Sequence, residues 1–282
     1  MTELTDFNLI KHNSLRLHSI AKQLYIPESY DDLATLMKSF SNGKKRFYIL
    51  SSGSNVLLKP IIKTPVIYLG RLDTTLEYIR ETNTVVAGCS VKIQTLINFL
   101  AENNLGGIEY LFSLPALTGG CVCMNAGRAR EHNLSISDYI TSVEYFDGES
   151  LKKIEKDKCG FSYRTSVFQE PGKIITKAFF TFPYQEKEIT KKKIKERVDF
   201  VKVYQEPQKP SLGTIFSAVD KRIIRKMKGL RIGDAAYSKK TQNWISNLGN
   251  AKYSQVITLI NIVKLISFVM RKKAKLEIKI WS

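Results

Sequence analysis

Two stretches of small residues carry the clearest chemical pattern in this chain. The first, Ser51-Ser52-Gly53-Ser54-Asn55, follows the apolar run Phe47-Tyr48-Ile49-Leu50. Small side chains let backbone N–H groups approach a ligand, a cluster of such groups makes an anion nest, and serine hydroxyls add donors. The second stretch runs through Pro115-Ala116-Leu117-Thr118-Gly119-Gly120 and resumes at Asn125-Ala126-Gly127. Two glycine clusters a few residues apart suit a flat ring and a pyrophosphate lying against backbone. Each stretch also has a purely conformational reading: a strand-to-helix turn for the first, which the pattern by itself favours, and a tight turn plus bulge for the second. The spacing G-x-G-x-x-G is absent, which disfavours a Rossmann site for a nicotinamide cofactor. Cys89, Cys121, Cys123 and Cys159 lack zinc-finger spacing and read as buried, reduced thiols. His12, His18 and His132 form no ligand pattern, so no metal site is expected.

The elements that must position these loops are legible from periodicity. Ser29 can cap a helix whose apolar positions Leu33, Leu36, Met37 and Phe40 share one face. Phe47 to Leu50 and Val66 to Leu69 read as buried strands. Thr84 to Ala87 reads as another, followed by a helix carrying Ile93, Leu96, Ile97 and Leu100 and stopped by Gly106-Gly107. Strands are expected at Ser142 to Phe146 and Leu151 to Ile154, turned by Asp147-Gly148, and again at Ile174 to Phe182. The Lys- and Glu-rich stretch from Glu186 to Arg197 reads as an exposed helix or linker. Beyond it lie a loop from Pro207 to Phe216, an apolar helix ending near Lys273 and a terminal strand from Lys275 to Trp281.

The chain has 282 residues, 43% hydrophobic and 25% charged, which is ordinary globular composition with room for more than one domain. Its formal net charge is +18. Such a charge attracts polyanions, whether nucleic acid, acidic lipid or phosphate-bearing small molecules, and is equally the mark of a Lys-rich surface. No basic run is interleaved with aromatics of the kind that stack on nucleic acid, so no nucleic-acid partner is expected. The start lacks the basic and apolar regions of a signal peptide, and Val256 to Met270 is too short and interrupted to span a bilayer. A cytoplasmic monomer is the expectation.

Taken in order, these pieces resemble the UDP-N-acetylenolpyruvoylglucosamine reductase family (UDP-N-acetylmuramate dehydrogenase) over almost the whole chain, from about Asn13 onward. The family's Gly-Gly-Gly-Ser-Asn loop corresponds to Ser51 to Asn55. Its Gly-Leu-Glu and Ile-Pro-Gly-Thr-Val-Gly-Gly stand here as Gly107-Ile108-Glu109 and Leu114 to Gly120, and its Asn-Ala-Gly as Asn125 to Gly127. Tyr-Arg-x-Ser-x-Phe is Tyr163 to Phe168, Gly-Ser-x-Phe is Gly213-Thr214-Ile215-Phe216, Arg-Ile-Gly-x-Ala-x-x-Ser is Arg231 to Ser238, and Asn-Phe is Asn243-Trp244. The terminal Glu-Val-Arg-Ile is Glu277-Ile278-Lys279-Ile280. Eight motifs in order carry the resemblance.

The resemblance implies an α+β fold: a two-domain FAD-binding module of the vanillyl-alcohol-oxidase type, with subdomains at 1–72 and 73–187 plus the strand 275–282, and a smaller α+β substrate domain at 188–274. It implies the short type of the family, with FAD as cofactor, NADPH as co-substrate and reduction of an enolpyruvyl ether on a UDP-sugar to a lactyl ether. It assigns FAD to Ser51, Ser52, Gly53, Ser54, Asn55, Pro115, Thr118, Gly119, Gly120, Asn125, Ala126 and Gly127. It assigns substrate binding to Tyr163, Arg164, Gln205, Lys240 and Asn243, and catalysis to Arg164 (the substrate carboxylate), Thr214 (the proton) and Glu277 (polarisation of the enol). Thr214 stands where the family has Ser, which keeps the hydroxyl but stiffens χ1 and implies reduced though measurable turnover. Two glycines of the first loop are serines here, Ala116 replaces a glycine, and Ala218-Val219 replaces an Asn-Pro that helps to hold substrate. FAD binding is therefore expected to be better preserved than substrate recognition. A diverged FAD-binding paralogue acting on another nucleotide sugar, and a basic nucleic-acid binder, are the competing readings. Under the first reading a basic cleft would steer the anionic FAD, NADPH and UDP-sugar inward.

Overall fold

In the computed structural model, residues 1–43, 45–128 and 134–281 are described; His132 lies outside them. The chain forms two compact units. The first comprises residues 1–4, 24–52 and 64–199, and the second 5–23, 53–63 and 200–282.

The first unit is built from helices laid on two sheets. Helix α1 (Tyr30–Asn42) starts where Ser29 accepts the Asp32 N–H, and Asp31 and Asp32 sit in its positive first turn. Its buried stripe, Leu33, Leu36, Met37 and Phe40, packs into one core with Ile67 and Leu69. Tyr48–Leu50 pairs in parallel with Val66–Tyr68, which pairs in turn with Leu24 and Tyr25. The second sheet is antiparallel, in the order Leu151–Glu155, Ile140–Phe146, Ile174–Phe180, Thr84–Gly88, Leu76–Ile79. Asp147 makes its hairpin by accepting the N–H groups of Glu149 and Ser150, with Gly148 at φ 105°. Helix α2 (Ile93–Glu102) buries Ile93, Leu96, Ile97, Leu100 and Ala101. It ends at Asn103, with Asn104 already left-handed at φ 55°, and not at Gly106-Gly107 as expected from sequence. Those glycines serve close packing, since a Cβ on Gly106 would meet Gln185 and Glu109. Helix α3 (Thr118–Cys123) follows, and helix α4 (Lys187–Tyr204) carries the chain on from residue 199 into the second unit.

The second unit has its own core, in which Leu15, Leu17 and Leu57 join Leu212, Ile215, Phe216 and Ile245. A four-stranded antiparallel sheet runs Ser211–Thr214, Trp244–Asn247, Ala235–Tyr237, Arg231–Ile232. Helix α5 (Lys221–Met227) and the long helix α6 (Tyr253–Val269) contribute Ile223, Ile224, Val256, Leu259, Ile260 and Val263 to this core. Three expectations are corrected here. The stretch from Pro207 to Phe216 is largely strand, because Leu212, Ile215 and Phe216 are buried. The terminal strand is broken in two at Glu277: Ala274–Leu276 pairs with Phe216–Val219, and Lys279–Ile280 pairs in parallel with Val56–Leu57. It therefore belongs to the second unit and does not complete a 73–187 subdomain. Residues 1–72 likewise do not stand alone, since Ile20 and Ala21 pair with Ile61 and Ile62 inside the second unit.

Candidate active site

In the first unit the two small-residue loops meet. A Cβ on Gly120 would stand 2.9 Å from Ser51 Oγ, so any larger residue there would push the serine side chain aside. Ser51 Oγ is buried and has no hydrogen-bond partner among the described residues. A desolvated hydroxyl without an acceptor is costly, and a phosphate oxygen beside bare glycine backbone would satisfy it. The residues present thus fit a pyrophosphate-bearing cofactor. Thr118, which the resemblance assigns to FAD, is tied into the loop itself. It is fully buried, and both its N–H and its hydroxyl are given to the Val91 carbonyl, at 2.8 and 3.0 Å. Gly119 likewise donates to Cys89 O, so these two fix the loop and their amides are not offered to a ligand.

Asn125 and Arg164 both hold left-handed backbone, at φ 40° and 55°, which Asn tolerates but which is strained for Arg. Arg164 sits in a tight turn closed by reciprocal Ser162–Thr165 backbone bonds of 3.1 Å. Its guanidinium forks onto the second loop, donating to Gly127 O at 2.8 Å and Asn125 O at 3.3 Å. Asn125 answers with its amide on Ser162 O. Ser166 and Gln169 tie the same turn to Cys123 O, and Gln169 also reaches Arg164 O. The cation is therefore oriented by the Asn125–Gly127 loop. It lies near Cys121, whose thiol is pushed up to about 12 by burial, partly offset by the Arg164 charge. Tyr163 is half-exposed beside it, its ring 5.4 Å from the guanidinium carbon.

In the second unit the structure brings together three residues from distant parts of the sequence. Glu277 N–H donates to Ile215 O at 2.8 Å, which places the acid's backbone one residue from Thr214. Asn55 reaches the Glu277 carbonyl with its amide at 3.4 Å and accepts the Lys279 N–H at 2.9 Å. Glu277 Oε2 is buried. Gly213, just before Thr214, is left-handed at φ 70° with open space where a Cβ would be. Gly53, by contrast, faces the His12 carbonyl, so its glycine serves packing.

Asn243, which the resemblance assigns to substrate, holds the Phe216 segment. Its side chain both donates to Phe216 O and accepts from Phe216 N, while its carbonyl takes the Ile215 N–H. It clips the segment that presents Thr214. Lys240 donates to Val203 O and Thr241 to Tyr204 O, which gathers Lys240 to the end of α4, where Gln205 follows. Sequence reasoning missed Glu206, the anchor of this corner. It accepts from Lys209 and from Ser238 Oγ, and Ser238 Oγ in turn accepts the Lys240 and Thr241 N–H groups. Burial pushes the Glu206 carboxyl up, but these hydrogen bonds outweigh it and hold it below the usual range. A lone carboxylate followed by Pro207 gave no motif signal. A separate cavity of about 770 Å³ in the second unit is lined by Arg16, His18, Lys209, Asn247 and Lys252 among others, and by none of the expected site residues. No group of His, Cys, Asp and Glu among the described residues is arranged to hold a metal ion.

Residues 21–150 match the model of an FAD binding domain. The chain is 30% identical over 290 residues to the UDP-N-acetylenolpyruvoylglucosamine reductase of Thermotoga petrophila, covering 96% of this chain and 95% of that one. It is 30% identical over 266 residues to the enzyme of the same name from Halalkalibacterium halodurans, with 91% and 86% covered. Among solved structures, the UDP-N-acetylenolpyruvylglucosamine reductase of Thermus caldophilus superposes with a TM-score of 0.80 at 26% identity, covering 100% of this chain and 98% of that one.

Proposed function

The chain belongs to the UDP-N-acetylenolpyruvoylglucosamine reductase family, and on that premise we propose that Arg164, Thr214 and Glu277 carry its reaction. The protein is an FAD-dependent oxidoreductase with NADPH as co-substrate, and it reduces the enolpyruvyl ether of UDP-N-acetylglucosamine to UDP-N-acetylmuramate. FAD, when bound, supplies the hydride that NADPH has delivered to it. Ser51, Ser52, Gly53, Ser54, Asn55, Pro115, Thr118, Gly119, Gly120, Asn125, Ala126 and Gly127 are the residues assigned to hold it.

Addition of hydride to the methylene carbon of the substrate leaves an electron pair spread over the adjacent carbon and the carboxylate. The Arg164 guanidinium neutralises that carboxylate with a planar fork that Lys lacks, and an already oriented cation is worth most in a site that excludes water. The proton comes from Thr214 Oγ1 to the carbon bearing the ether oxygen, and Glu277 polarises the developing enol. Tyr163, Gln205 and Lys240 take the sugar nucleotide, and Asn243 holds the Thr214 segment. The observation that best supports this reading is the hydrogen bond from Glu277 N–H to Ile215 O, which sets the acid beside the residue that follows Thr214 although 62 residues separate Glu277 from Ile215 in sequence.

The enzyme acts as a cytoplasmic monomer in this reading, supplies peptidoglycan precursor synthesis and through it serves cell shape and division. The test is NADPH oxidation by purified yellow protein. The reading requires oxidation that depends on the enolpyruvyl substrate. Yellow protein that oxidises NADPH equally with and without it would instead favour a diverged paralogue.

A further inference from the structure

The net charge of +18 is not spread over the molecule. The second unit holds 22 Lys and Arg against 5 Asp and Glu, while the first holds 22 against 21. From Ala235 to Leu276 there is no acidic residue at all, and eight cations. Within this run helix α6 is apolar on two sides. One side, Val256, Leu259, Ile260 and Val263, fills the core. A helix apolar all round is normally enclosed. Here the other side is not: Leu265 is 63% exposed, Phe268 80%, Val269 73% and Met270 43%. Positions 265, 268 and 269 share one face by helical spacing. This tip runs directly into Arg271-Lys272-Lys273, all exposed, with Lys264 exposed one residue before Leu265. Asp220 is the acid whose field Lys272 shares, and it is already engaged by Arg222.

We propose that the C-terminal end of α6 docks the protein on an anionic lipid bilayer, with Leu265, Phe268, Val269 and Met270 entering the acyl boundary and Lys264, Arg271, Lys272 and Lys273 on the headgroups. An apolar wedge rimmed by cations is the composition of an interfacial anchor. Nucleic acid or an acidic protein segment would account for the cations but would leave an aromatic and three aliphatic side chains in water. No helix among the described residues is long and apolar enough to cross a membrane, so the attachment is peripheral and reversible.

The full-length, FAD-loaded protein is tested by co-sedimentation with vesicles of phosphatidylglycerol and phosphatidylcholine against vesicles of phosphatidylcholine alone. Binding is expected to be at least ~10-fold tighter to the anionic vesicles. It is expected to fall at least ~10-fold in a Leu265→Ser/Phe268→Ser/Val269→Ser variant and, separately, in an Arg271→Glu/Lys272→Glu/Lys273→Glu variant. Both variants alter exposed side chains outside the catalytic machinery, so NADPH oxidation in solution stays unchanged. A Phe268→Trp variant is expected to show blue-shifted emission on anionic vesicles. The proposal is overturned by equal binding to both vesicle types, by binding that survives loss of the apolar triad, as a polyanion receptor would show, or by self-association in solution that Phe268→Ser abolishes, which would give this face to a second copy of the chain.

Discussion

Arg164 is held where its backbone costs energy. A non-glycine residue at φ 55° stores on the order of 1–3 kcal/mol, which the reciprocal turn bonds and the fork onto Asn125 and Gly127 offset. Arg164→Lys keeps a charge but loses the two-carbonyl fork. Turnover is expected to fall ~100-fold while the KM for NADPH moves little, measured in steady state. Thr214 carries the opposite expectation. Thr214→Ser removes a methyl and frees χ1, so turnover rises above that of the native chain. Glu206 bears on stability. Because its carboxyl is held below the usual glutamate range, its contribution is present above that range and is lost as pH falls through the folded value. Glu206→Gln is therefore expected to lower Tm at pH 7, with the gap closing as pH falls below the usual glutamate range in parallel melts.

Elements decide how these residues are presented. Gly53 is left-handed at φ 67°, and a Cβ there would collide with the His12 carbonyl, so Gly53→Ala is expected to cost more than ~3 kcal/mol in denaturant unfolding and to release flavin. Helix α1 was legible because its information is local: Ser29 caps it and four apolar residues share its face. The Asp147-Gly148 hairpin was legible for the same reason. The end of α2 was misread because Asn104 adopts the left-handed conformation that the glycines two residues later advertise. The split terminal strand was not legible, since its two halves pair with different segments far away in sequence, Phe216–Val219 and Val56–Leu57. The two small-residue loops stood out by residue type. That Thr118 gives both its donors to Val91, and Asn243 its amide to Phe216, depends on partners no local pattern reveals.

The partition into two units is the least local property, because residues 5–23 and 53–63 join a core otherwise made by 200–282. The charge follows the partition, with a surplus of 17 in the second unit and 1 in the first, so the unit assigned to the sugar nucleotide is the one that attracts anions. Raising salt from about 50 to 500 mM shortens the Debye length from ~14 to ~4 Å, and kcat/KM for the UDP-sugar is expected to fall while kcat holds. The account as a whole rests on the Thr214 hydroxyl as proton source in a flavin-dependent reduction. Its most direct test is a single-turnover experiment: NADPH-reduced holoenzyme is mixed anaerobically with the enolpyruvyl substrate, and the return of the oxidised flavin absorbance is followed in native protein, Thr214→Ser and Thr214→Val. A rate slowed at least ~100-fold in Thr214→Val and retained or raised in Thr214→Ser is the expected result. Equal rates in native protein and Thr214→Val would contradict it.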